Sequence, residues 1–139
     1  NLDFHRHMGC GSMLAGLAFS NTRTTACHSI SYPLTLSYHI PHGVAVSMLI
    51  APVMDLNSAH IEEPERFADA FGVKSMDQVG ETIRGLLKTA GIPDRLRDWG
   101  VKEEGLEEIS FRCFTKGRMD NNPVALSREQ VVEILRQIY

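Results

Sequence analysis

Five of the six histidines fall in two places, His5 and His7 near the start and His28, His39 and His42 further on, with His60 apart from both. Imidazole is a good ligand for divalent iron or zinc. Two such ligands on adjacent helices joined by a tight turn can converge on one ion. His28 and His42 meet that description, with His39-Ile40-Pro41 as the turn and His42 in the first turn of the next helix. The alternative is that these are ordinary helical histidines, one hydrogen-bonded in the core and the others solvated. Spacing alone leaves both readings open.

Other reactive residue types are less suggestive. Cys27 adjoins His28, but neighbours on a helix point about 100° apart and cannot face each other, so a buried structural thiol is expected. Glu103, Glu104, Glu107 and Glu108 lie on an amphipathic stretch and read as a solvated face. The three cysteines show no C-x-x-C spacing, which argues against a disulfide framework or a thiolate zinc site and for a reducing cytoplasm. No Gly-rich phosphate loop follows a strand.

The elements that must carry these residues read as helices throughout. Met8, Met13, Leu14, Leu17 and Ala18 recur at helical spacing with Gly9, Gly11, Ala15 and Gly16 between them, so a helix packed tightly on its neighbours is expected. Thr24 or Thr25 can cap a second helix running through His28 toward Tyr38, which Pro33 should kink or end. Pro41, as a first helical residue, opens a nearly all-apolar and therefore central helix to about Leu56. Pro64 to Ala68 starts a short helix ended by Gly72. Ser75 to Gln78 reads as a capping box before Val79, Ile83, Leu86 and Leu87, closed by Gly91 and Pro93. Glu103 to Phe114 is amphipathic, and Ser127 to Gln130 is a second capping box leading into Val131, Val132, Leu135 and Ile138. With no period-two alternation and no repeat, an all-α helical bundle over residues 1–139 is predicted as a single domain.

Bulk properties exclude several classes. A net charge of -3 and a pI near 6.1 provide no basic footprint for nucleic acid. The longest apolar run, Gly43 to Val53, is far short of the roughly 20 residues that cross a bilayer. The first residues, Asn1-Leu2-Asp3, show neither an initiator Met nor a signal-peptide layout, so the chain is expected to be part of something longer.

The stretches Ala15 to Thr22, Ala26 to Leu34 (Ala-Cys-His-Ser-Ile-Ser-Tyr-Pro-Leu) and Ile40 to Ala45 (Ile-Pro-His-Gly-Val-Ala) resemble the C-terminal domain of iron-containing alcohol dehydrogenases. The likeness continues more loosely through Ala51-Pro52-Val53-Met54, Phe67 to Gly72, Gly91-Ile92-Pro93 and Asn122-Pro123, nearly the whole chain. The resemblance implies the helical half of a dehydroquinate-synthase-like two-domain enzyme whose N-terminal α/β nucleotide-binding domain is absent here. It further implies NAD(P), a small alcohol or aldehyde substrate and a homo-oligomer. It implies a divalent metal, Fe2+ in the first place or Zn2+, held by one aspartate and three histidines. His28 and His42 match the last two of those ligands, and the other two belong upstream; His5 and His7 are not at their place and read as surface residues.

Many family members carry another histidine four residues after the first matching ligand, where this chain has Tyr32. A phenol there could hydrogen-bond the cofactor ribose or relay a proton, although an ordinary pKa of about 10 makes it a poorer base near neutrality. The alternative is that Tyr32 packs beside Pro33. Tyr32 together with Asn21 to Thr25 is similar to a subgroup acting on anionic substrates, including phosphonoacetaldehyde reductases and sugar-acid 8-oxidases. Arg118 matches a loop beside the family's substrate pocket, where a guanidinium could bind a phosphonate or carboxylate; the alternative is a solvated loop arginine. Asn21 is a further substrate-binding candidate, and Arg23 ranks below Arg118.

Within the superfamily the rivals are a zinc-dependent polyol dehydrogenase and a dehydroquinate-synthase-like lyase. The rival of another class is a non-catalytic helical interaction module. The isolated chain is expected to lack dehydrogenase activity and to expose an apolar face between Asn1 and His42, where its partner domain would pack.

Overall fold

The computed structural model describes residues 1–139 and contains seven α-helices and four short 3₁₀ turns, with no strand. In chain order the helices are α1 (Leu2–Thr22), α2 (Ala26–Tyr38), α3 (His42–Asn57), α4 (Pro64–Ala70), α5 (Asp77–Thr89), α6 (Leu106–Arg112) and α7 (Arg128–Gln137).

α3 is the hub. It buries Ala45, Met48, Leu49, Ala51, Pro52, Val53 and Asn57, and packs against α2, α5 and α7. α2 contributes Ala26, Ile30 and Leu34 to the same core, and α6 and α7 close it with Leu106, Ile109, Val131, Ile134 and Leu135. At α3–α5 the approach is close: a methyl group on Gly80 would lie 2.6 Å from Ala51 Cβ, so the absence of a side chain is what lets the helices meet.

Pro33 does not end α2, which runs on to Tyr38. Its ring removes one helical hydrogen bond, a cost of about 3 kcal/mol or more in a free helix. Pro33 and Leu34 are both buried where α2 packs on α3 and α6, and that packing outweighs the cost.

Several local expectations are corrected. Pro41 is the residue before α3 rather than its first member, so His42 opens the helix. The Ser75 capping box does not form; the Gln78 side chain instead accepts from the Lys74 backbone N–H at 2.9 Å, and α5 starts at Asp77 with no side-chain cap. The Glu103–Phe114 stretch divides at Gly105 into a 3₁₀ turn and the short α6. Leu86 is exposed. By contrast Ser127 and Gln130 make the reciprocal capping box on α7.

The largest departure is α1, a helix with no buried residue. Phe4, Met8, Met13, Leu14, Leu17 and Phe19 are exposed, and nothing in the chain approaches Gly9, Gly11 or Gly16 within 4 Å. Small residues permit a close approach without specifying what approaches, and no other element of this chain does. The exposed apolar face lies in the Asn1–His42 region where it was expected. α1 is tied down only at its C-terminal end, where Asn121 Nδ2 donates to the carbonyls of Thr22 and Thr24.

Candidate metal centre

His28 lies in the first turn of α2 and His42 is the first residue of α3. In a simple helical hairpin these positions would be far apart, because α2 continues to Tyr38 before the chain turns. The connection removes the difficulty. His39 adopts a left-handed conformation (φ 56°) that reverses the chain, Ile40 is fully buried and anchors the link, and Pro41 is extended (ψ 132°). From Tyr38 back to Ser31 is about 10 Å along a helix, and a three-residue link can span at most about 10 Å. The link thus returns the start of α3 to the second turn of α2.

The result is a cluster of side chains around His42. The His28 and His42 rings meet edge to face with centroids 5.4 Å apart. Tyr32, one turn beyond His28 on the same face of α2, stacks on His42 with centroids 6.0 Å apart and planes 12° apart. Ser31 Oγ lies 3.3 Å from His42 Nδ1 and 2.8 Å from the His28 carbonyl oxygen. Tyr32 therefore packs on an imidazole.

The electrostatics favour neutral imidazole at His28. Its pKa is lowered from the ordinary 6.5, first by burial and then by electrostatic repulsion from His42 and Arg118. A neutral ring with a free lone pair is the form that binds a metal. Two imidazoles are half of a four-coordinate set, and no group of three or more His, Cys, Asp or Glu side chains gathers anywhere in the chain. The donor chemistry suits a divalent ion such as iron or zinc, but completing the shell requires ligands from elsewhere.

The remaining candidates are placed as follows. Arg118 is half-buried, donates to the Gly117 carbonyl at 2.9 Å, and is near enough to His28 to act on its charge. No carboxylate pairs with it, in contrast to Arg66, Arg84 and Arg112. Asn21 is exposed, donates to the Leu17 carbonyl of its own helix, and lines a polar cleft of about 310 Å³ with Arg23, Gly117, Asp120 and Asn121. Cys27 is no nucleophile: its thiol faces the Leu49 carbonyl, and burial pushes its pKa up to about 12. His39 is spent on the turn, while His5, His7 and His60 are exposed and apart from the cluster, as are Glu103, Glu104, Glu107 and Glu108. Sequence reasoning missed Ser31, although its position three residues after His28 places it on the same helical face.

An all-helical bundle in which two imidazoles from adjacent helices meet edge to face defines the class: a helical domain carrying a histidine pair between its second and third helices. The comparison with known proteins makes it particular. Residues 1–139 match the family model for the Fe-containing alcohol dehydrogenase family, C-terminal, and the chain belongs to that family. It is 32% identical over 150 residues to 1,3-propanediol dehydrogenase of Citrobacter freundii, a match covering 100% of this chain and 38% of that protein. It is 36% identical over 138 residues to sulfoacetaldehyde reductase of Bilophila wadsworthia, covering 89% of this chain and 35% of that protein. Among solved structures, 1,3-propanediol oxidoreductase superposes with a TM-score of 0.85 at 31% identity, over 100% of this chain and 39% of that one. The chain thus spans about 38% of the length of the first curated relatives it resembles.

Proposed function

We propose that this chain is the helical, metal-binding half of an NAD(P)-dependent alcohol dehydrogenase or aldehyde reductase, with His28 and His42 as two of the metal's protein ligands. The convergence of those two rings carries the reading. The family resemblance supports an aspartate and a histidine from outside the chain as the other two, and Fe2+ ahead of Zn2+ as the ion. When bound, such an ion supplies a positive charge that polarises the substrate oxygen while hydride passes to or from the nicotinamide.

The chain's own residues have definable parts. As imidazole donors, His28 and His42 bring no negative charge and leave the charge of an ion largely intact. The face of Tyr32 holds the His42 ring in plane, and its phenol is a hydrogen-bonding group beside the cofactor and substrate. With no strand and no Gly-rich loop in the chain, the dinucleotide falls to a nucleotide-binding portion of the whole enzyme, and the isolated chain is inactive. Turnover by the purified 139-residue protein would refute that last point.

For the substrate we propose a small aldehyde or alcohol bearing an anionic group. The likeness to sulfoacetaldehyde reductase supports it, as does Arg118, a cation beside His28 with no carboxylate partner. In the full-length enzyme Arg118→Gln should raise KM for anionic aldehydes more than for neutral ones of the same length; equal effects on both would remove the anionic reading.

The deciding experiment is metal analysis of the full-length protein with His28→Ala and with His42→Ala. Each variant should purify with sharply reduced metal. Unchanged metal content in both would favour a helical interaction module instead.

A further inference from the structure

We propose that Ser31 is the positioning residue of the site, fixing His42 in the tautomer whose Nε2 lone pair is free for a metal. The proposal rests on the metal reading given above and identifies what orients one of its ligands.

The argument is a count of protons. A serine hydroxyl has one proton to donate and two lone pairs to accept with. Ser31 is fully buried, so water does not supply or take these bonds. Its Oγ lies 2.8 Å from the His28 carbonyl oxygen, which can only accept, so the hydroxyl proton is directed there. This back-bond to the carbonyl three residues earlier is a habit of serine in helices. What remains on Oγ is acceptor capacity, and His42 Nδ1 lies 3.3 Å away. That contact is a hydrogen bond only if Nδ1 carries the proton. In a neutral imidazole Nε2 is then bare, on the far side of the ring from Ser31.

Three features reinforce one another. Ser31 is held by the backbone of His28, so the bond to His42 ties the two imidazole-bearing helices together at a single oxygen. Tyr32 stacks on the ring and limits its rotation about the Nδ1 contact. Ser31 lies in the middle of α2 rather than on a loop. Hydrogen-bonded orienting groups of this kind are worth about 10- to 100-fold in metal affinity.

The competing arrangement has the hydroxyl rotated to donate to a bare Nδ1, which would put the proton on Nε2 and block that atom. Nitrogen-15 NMR of the metal-free, full-length protein labelled at histidine distinguishes the two without any mutation. The expected result is His42 protonated at Nδ1, and a predominant Nε2–H form overturns the proposal. Zn2+ affinity, measured by chelator competition, should fall about 10- to 100-fold in Ser31→Ala and return toward the original value in Ser31→Thr. An affinity for Ser31→Ala equal to that of the unmodified protein also overturns it. If His42→Ala loses metal while Ser31→Ala keeps it, only the role of Ser31 fails; if His28→Ala and His42→Ala both keep it, the metal reading itself fails.

Discussion

The ring of Tyr32 lies nearly parallel to the imidazole of His42, planes 12° apart and centroids 6.0 Å apart. Family members often have a second imidazole where this chain has the phenol, so the substitution keeps a flat ring at the site and changes its proton chemistry. Tyr32→Phe should retain the stack, the fold and bound metal. Tyr32→Ala should lose about 0.5–1.5 kcal/mol of stability and bind metal more weakly. Urea denaturation and metal analysis read both effects, and equal metal loss in the two variants would show that the hydroxyl, not the face, matters.

His28 has a pH signature whose sign follows from its lowered pKa. The unfolded chain protonates this ring near the ordinary 6.5, whereas the folded chain resists until lower pH. Between those values the unfolded state holds more protons, so the fold loses stability as pH falls below about 6.5 and gains nothing further above it. In metal-free protein, urea midpoints from about pH 5 to about pH 7.5 should show this slope, and His28→Gln should flatten it. An unchanged slope in the variant would assign the effect to other groups.

Gly80 tests the packing that places α3. A methyl group there meets Ala51 Cβ at 2.6 Å, inside van der Waals contact, so α5 must shift away from α3. Gly80→Ala should cost about 1–3 kcal/mol despite the better helix propensity of alanine. A stabilised variant in thermal denaturation would mean that the two helices lie further apart than described.

The cysteines separate by environment. Burial raises both Cys27 and Cys113 to about 12, leaving almost no thiolate near neutrality, whereas Cys10 is exposed. In the native 139-residue chain, iodoacetamide followed by mass spectrometry should label Cys10 first and the other two only on unfolding. Labelling of Cys113 as fast as Cys10 would contradict its burial.

Much of the fold was legible because its signals are local. The nearly all-apolar content of α3, the Ser127 capping box and the punctuation around α4 depend on neighbours a few residues apart, and each appears where residue order implied. The Ser75 box failed for an equally local reason: Gln78 found the Lys74 N–H, and no side chain caps α5.

By residue type and motif alone, the chain determined that it would be helical, that it belonged with iron-type alcohol dehydrogenases, and that His28 and His42 were the imidazoles to watch. Only the tertiary structure decided that they meet, because that depends on the path of His39 to Pro41, on the left-handed turn at His39 and on the burial of Ile40. It also singled out Ser31 from the other small polar residues of α2 and left α1 bare. Periodicity records which face of a helix is apolar; it does not record what covers that face, or which atoms from a distant turn arrive within hydrogen-bonding distance.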